Sequence, residues 1–201
     1  MAPILATRGA GSALGFGRYA SLGSSDWDSI ATVYLSSTTS ATISFTAIPT
    51  TYQNLQIRFT AKSSNSGSAD MFFRINEDTT ASNYWNTQTT RAETSAGNGT
   101  TNAYAGIGPI QLLGTSATNK MNSGLLNVFD YNNTNKHKTY SYIEHYDNAG
   151  STTGSNLGKL AYIGSGTHNS TTSTTNITVY TTTGGFAQYS RFDLYGFKGA
   201  Q

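Results

Sequence analysis

Few residues in this chain could bind a metal, move a proton or attack a substrate. The histidines are His137, His145 and His168. His137 and His145 fall on one face of a single candidate strand. At a rise of ~3.3 Å per residue their separation of eight positions is about 26 Å, too far to share one ion. Ordinary surface or turn histidines are the favoured reading, and neither a metal nor another cofactor is expected. Asp26-Trp27-Asp28 and Asn76-Glu77-Asp78 offer the oxygen ligands that a hard cation wants, but neither has the spacing of a calcium loop, so they read as turn-capping acids. Serine hydrolysis commonly uses Gly-x-Ser-x-Gly, which is absent, and Gly9, Gly11 and Gly15 miss the spacing of a dinucleotide loop. A glycosidase needs two carboxylates flanking a sugar, and nothing singles out such a pair. No catalytic residue is assigned and the chain reads as non-enzymatic.

The remaining functional signal is aromatic. Tyr84 and Trp85 stand in a polar stretch from Thr79 to about Thr101, too long for a plain hairpin loop, and Tyr104 closes it. Exposed Tyr and Trp combine a flat apolar face with a polar tip, which suits contacts to a glycan or a protein partner. Tyr140, Tyr142 and Tyr146 share one strand face with Lys138 and Glu144. That row is expected to cover the core of a second sheet.

The elements that must position these residues are strands. Charged residues are only 11 % of the 201, while Ser and Thr together make up about 28 %. Abundant Thr and scarce Glu and Lys favour strands over helices. Apolar residues alternate along Ala41–Ala47, Leu55–Ala61, Met71–Ile75, Ile177–Val179 and Phe192–Leu194. Further candidates are Ile30–Leu35, Ile107–Leu113, Leu125–Tyr131, Lys138–Tyr146 and Leu157–Ile163. Pro49, Ser63–Gly67, Asp147–Gly150, Gly164-Ser165-Gly166 and Gly184-Gly185 are expected to mark turns. No segment has a convincing 3.6-residue period. The pattern predicts an all-β, antiparallel β-sandwich, as a jelly roll of 8–10 strands.

Residues 1–25 differ. Arg8 to Arg18 is glycine-rich with no strand or helix period. This segment either packs on its own domain or is an extended assembly arm held by neighbouring subunits, with Arg8, Leu14, Phe16, Arg18 and Tyr19 as contacts. Residues 26–201 are expected to form one domain. The net charge of +2 is dispersed, and only Lys136-His137-Lys138 approaches a basic cluster, so no nucleic acid is expected as partner. No apolar run approaches a membrane span and Met1–Leu5 is too short for a signal-peptide core, so synthesis in the cytoplasm is expected. There are no cysteines, which excludes disulfides and thiolate metal sites.

The order of landmarks along the chain resembles that of virion structural proteins of tailed bacteriophages. The matching segments are ATISFTAIPTTYQNLQIRFTAKSS (41–64), MFFRINEDTTASNYW (71–85), VFDYNNTNKHKTYSYIEHYD (128–147) and FAQYSRFDLYGFKGA (186–200). ALGFG (13–17) is similar to the amino-terminal segments of such proteins, and Phe197 stands where that class usually has Ile. The resemblance implies a jelly-roll subunit on the outer surface of the particle, often trimeric: a capsid decoration, head-fibre or tail-fibre protein. Its partners would be further copies of itself and the major capsid or tail proteins. The landmarks then read as framework: Arg74-Ile75-Asn76 sets a turn, Asp130-Tyr131-Asn132 starts a hairpin, and Gly196 permits a close approach. The alternative is a carbohydrate-binding adhesin, in which Tyr84 and Trp85 stack on a host surface glycan.

Overall fold

The computed structural model describes residues 27–36, 40–92, 96–101, 104–117, 119–147 and 159–198. The expected arm contacts Arg8, Leu14, Phe16, Arg18 and Tyr19 lie outside the described residues. The described chain is all-β. Its strands are β1 (Trp27–Tyr34), β2 (Thr42–Phe45), β3 (Asn54–Ala61), β4 (Ala69–Ile75), β5 (Tyr84–Ala92) and β6 (Ala96–Thr101). They continue with β7 (Ile107–Leu112), β8 (Asn122–Phe129), β9 (Lys138–Asp147), β10 (Lys159–His168), β11 (Ile177–Thr181) and β12 (Arg191–Phe197). A single 3-10 turn, Ala81–Asn83, precedes β5.

Two antiparallel sheets result. The larger runs β1-β12-β3-β8-β9-β10-β5-β6 and the smaller runs β2-β11-β4-β7. The chain passes between the sheets at almost every step: β1, β3, β8 and β12 are in the large sheet, and β2, β4, β7 and β11 in the small one. The hairpin β5–β6, inserted between β4 and β7, and the pair β9–β10, inserted between β8 and β11, extend the large sheet beyond β8.

The core follows from the period-2 alternation. Leu55, Ile57, Phe59 and Ala61 of β3, Leu126 and Val128 of β8, and Phe192 and Leu194 of β12 face inward from the large sheet. Ile43, Phe45, Met71, Phe73, Ile75, Ile107, Ile110, Leu112, Ile177 and Val179 meet them from the small sheet in one apolar cluster. Alternation matters because one face of each sheet is dry: a slip of one residue would turn every one of these side chains to water.

Twelve strands exceed the expected 8–10, and the excess is β5–β6. The stretch read as a long polar loop is a hairpin. Its inward residues Asn86 and Gln88 are amides, so no apolar alternation betrays it. Gly164-Ser165-Gly166, expected to be a turn, instead lies within β10. A Cβ on Gly164 would sit 2.1 Å from Cζ of Tyr142, and one on Gly166 would sit 2.6 Å from the Tyr140 hydroxyl. These glycines let two tyrosine rings lie flat on the neighbouring strand. At Gly196 the close approach is made by the Tyr52 ring, 2.3 Å from where a Cβ would be.

Gly164→Ala should therefore lower stability by about 3 kcal/mol, the upper end for forced overpacking in a core. Shrinking the ring with Tyr142→Ala should make the added methyl much less costly in a double-mutant cycle. Urea unfolding of the four proteins measures this, and additive losses would contradict the assigned contact.

Candidate functional site

Four loops meet at one end of the sandwich, where β2, β4, β8 and β10 finish. The loop after β4 begins with two residues in the left-handed region, Asn76 (φ 49°) and Glu77 (φ 56°). Asn tolerates that conformation better than most residues, and here its side chain uses it. Asn76 Oδ1 accepts from the amides of Thr175 (2.9 Å) and Asn176 (3.2 Å), and Nδ2 donates to the Ser173 carbonyl (2.8 Å). The Arg74-Ile75-Asn76 landmark thus sets a turn and also fastens the β10–β11 loop.

The Asp130–Lys138 segment is the second fastening. Asp130 turns the chain with φ 46°, and its carboxylate pairs with Lys136 Nζ at 2.5 Å. The Tyr131 hydroxyl donates to the Pro49 carbonyl, and Asn132 Nδ2 donates to the Thr50 carbonyl at 2.9 Å. Lys138 is fully buried and its ammonium donates to the carbonyls of Asn133, Lys136 and Thr171. Burial pushes its amine below the ordinary lysine range, opposed by the charge of Asp130.

His168 and Asp78 form the third. His168 is 2 % exposed, stacks on Tyr84 with centroids 4.7 Å apart, and donates from Nε2 to Asp78 Oδ2 at 2.8 Å. Burial pushes the imidazole pKa down, against the opposing pull of Asp78, so the ring is neutral at pH 7 with its proton on Nε2. Burial alone would raise Asp78. Hydrogen bonds from Asn83, His168 and Thr80 outweigh that and hold the carboxyl well below its usual range. A histidine paired with a carboxylate can serve as a general base, but only if its second nitrogen faces a nucleophile. Nδ1 is buried and bonds to no described residue. The pair closes the loop end, as capping acids do.

Further along β9, Tyr140 and Tyr142 turn inward as expected, and their hydroxyls donate to Asn86 Oδ1 (2.7 Å) and Gln88 Oε1 (3.1 Å). Burial drives both phenols far above the ordinary range. Glu144 follows on the same face, 1 % exposed. Asn122 Nδ2 donates to its Oε1, while Oε2 has no partner among the described residues. Burial pushes this carboxyl up to about 8 despite the Asn122 bond. It is therefore protonated in the folded protein at neutral pH.

The aromatic residues picked out as contacts do not form one surface. Tyr84 is 1 % exposed and Trp85 58 %, because consecutive strand residues face opposite sides. The Tyr84 hydroxyl takes the Ile75 amide at 3.1 Å inside the sandwich, so this ring cannot stack on a glycan. Tyr104 lies against Phe72 on the outer side of the small sheet, at 5.0 Å between centroids. Trp85 projects from the large sheet. Among the described residues no group of three or more acidic or histidine side chains could hold a metal, and no helix is long and apolar enough to cross a membrane.

His168, read from the sequence as an ordinary surface or turn histidine, is instead buried under the Tyr84 ring, and the buried Lys138 and Glu144 were given no role of their own although a signal existed. Lys138 and Glu144 share the β9 face of Tyr140 and Tyr142, so a row that covers the core carries both inside. The chain matches no protein-family model, no curated protein and no solved structure.

Glu144 makes stability depend on pH with a definite sign. Its folded pKa lies above the ordinary 4.5, so its contribution is complete below about 4.5. It is lost as pH rises towards about 8, at roughly 1.4 kcal/mol per pH unit. Glu144→Gln keeps the acceptor for Asn122 and removes the titration. The variant should gain stability over wild type steadily from pH 5 to pH 8. Urea midpoints that change in parallel for both proteins would rule this out.

Proposed function

We propose that this chain is a non-enzymatic structural subunit of a tailed-bacteriophage virion. In this reading it is displayed on the particle surface as a capsid decoration, head-fibre or tail-fibre component, and its architecture is a jelly roll. The observation that carries the proposal is the strand order. Taken as β1-β12-β3-β8 facing β2-β11-β4-β7, eight strands alternate between two sheets in the way a jelly roll connects them, with β5–β6 and β9–β10 as insertions. The segments that carry the resemblance supply the framework at the loop end: Asn76 and Lys138 hold loops to one another, and the Asp130–Lys136 pair closes its own loop. Such fastening suits a subunit that must keep its shape outside the cell. Neutral Ser and Thr on the strand exteriors suit a particle surface that must stay dispersed.

In this proposal residues 1–25 anchor the subunit to capsid or tail proteins, and the sandwich faces outward. Deleting residues 1–20 should leave the thermal midpoint of the purified protein unchanged, because the described core begins at β1. The same deletion should abolish incorporation when the phage is grown with only the truncated protein. Particles that carry it at the normal level would overturn the anchoring role. An intact virion lacking the wild-type chain altogether would overturn the proposal.

A further inference from the structure

The outer face of β8, β9, β10 and β5 is unlike the rest of the surface. Pairing places Phe129, Thr139, Thr167 and Trp85 in one row across the four strands, and Asn127, Ser141, Ser165 and Thr87 in the next. The third row is Leu125, Ile143, Ile163 and Thr89, and the fourth begins Ser123, His145, Ala161. From Ser123 to Phe129, Thr139 to His145, Ala161 to Thr167 and Trp85 to Thr89, the outward positions hold no Asp, Glu, Lys or Arg, and the next positions of the same parity, Asp147, Lys159 and Arg91, bound this block with charge. Ile143 is 44 % exposed and Ile163 54 %. Exposed strand positions normally go to Thr or to charged residues, and an aliphatic row there marks an interaction surface.

The relief of this face is self-complementary. A shallow depression of about 490 Å³ lies on the β8 side of Ile143, lined by Arg58, Ser123, Leu125, His145 and Ala161 among others. Ile163 projects on the opposite side of Ile143, one strand away. A two-fold axis through Ile143, parallel to the strands, exchanges the two sides. It sets each Ile163 against the other copy's depression, as an isologous contact requires. Arg58 does not obstruct it: its guanidinium leans over Tyr195 at 4.8 Å and Trp27 at 5.6 Å, towards β12 and β1. The two Arg58 side chains stand on opposite margins of such a pair, four strand spacings or about 19 Å apart, well beyond a Debye length, so the centre of the face meets its own copy without like-charge repulsion.

The size is sufficient. The axis on β9 lays β5 over the partner's β3, so Gln56, Arg58 and Thr60 join the contact, and about 18 outward positions, each covering roughly 32 Å² of sheet plane, span about 580 Å² per copy. Two copies bury about 1,150 Å² before side-chain relief is added, where specific interfaces begin. Aliphatic residues dominate the centre of the face, which favours a protein surface over a sugar, since sugars stack on aromatic rings.

We propose that a second copy of this chain covers the outer face of β8–β10, with Ile143 at the two-fold axis and Ile163 seated in the partner's depression. The inference rests on this surface alone and not on the virion reading. It gives an even-numbered contact where the resemblance implies a trimer.

Light scattering coupled to gel filtration of the full chain at roughly 100 μM should show a dimer. Ile163→Glu places a charge in the contact and should weaken dimerisation at least 100-fold, while the thermal midpoints of the two proteins should agree when both are diluted to monomers, because the residue faces outward. Ile163→Thr keeps the β-branch and should weaken it less. The chain has no cysteine, so Ile143→Cys reports on the axis directly. Mild oxidation should give a covalent dimer, and Thr42→Cys on the outside of the small sheet should not. A wild-type monomer at that concentration would overturn the proposal and leave the face to a different partner. So would a trimer, or any oligomer that Ile163→Glu leaves intact. A chain that dimerises but never enters a virion would sink the functional proposal and leave this one standing.

Discussion

Two tyrosine rings on β9 have to lie flat against β10 and still find acceptors for their hydroxyls, and the far half of the large sheet is built around that requirement. An unpaired hydroxyl in a dry interior costs on the order of 1–3 kcal/mol. Tyr140 and Tyr142 escape that cost because β5 presents Asn86 and Gln88 at matching positions, with the Trp85 carbonyl a second acceptor for Tyr140 at 3.1 Å. The rings can reach across β10 only because Gly164 and Gly166 have no side chain in the way. Removing either glycine forces the rings off the sheet, and removing the Gln88 amide strands the Tyr142 phenol. The register of three strands is therefore tied to four side chains of particular chemistry and not to apolar burial alone.

The same half of the sandwich holds the buried ionisable groups, and each is handled differently. Lys138 is surrounded by main-chain carbonyls, which can accept from an ammonium without carrying a full charge. His168 remains neutral and donates to Asp78, whose charge is held by three donors near the loop surface. Glu144, with Asn122 as its one donor among the described residues, takes up a proton instead. A buried charge is tolerated where polar groups surround it, and is lost by protonation where they do not.

The apolar half of the fold was legible in the sequence because its inward residues are apolar. Leu55 to Ala61 and Phe192 to Leu194 alternate in plain view, and every strand of the small sheet shows at least part of the same pattern. The hairpin β5–β6 was not legible. Alternation is read from hydrophobicity, and on β5 the inward Asn86 and Gln88 are as polar as the outward Thr87 and Thr89. Gly164 and Gly166 misled for a related reason: glycine in a polar stretch signals a turn unless one knows that a ring lies above it. At the loop end, the Asn76 and Asp130 turns were read correctly. The closure by His168 and Asp78, ninety positions apart, leaves no local trace.

The placement of charge links the interior to the surface. Outward charge on the large sheet sits on β3 and β12, where Arg58, Arg191 and Asp193 lie, with Arg191 bonded to Asp193 at 2.8 Å. Lys198 pairs with Asp28 at 2.7 Å beside that edge, and Lys136 with Asp130 at the loop end. Between Ser123 and Phe129, Thr139 and His145, and Ala161 and Thr167 the outward positions receive none of it, although the inner faces of β9 and β10 carry Lys138, Glu144 and His168. Those strands are polar within and neutral or aliphatic without, the reverse of an ordinary solvated sheet. An inner face that binds its polar groups to one another gains nothing from a greasy outer face. The exposed isoleucines therefore have to be explained by something outside the monomer, and a surface whose centre is free of acids and strong bases is the kind that another copy can cover without stranding a charge.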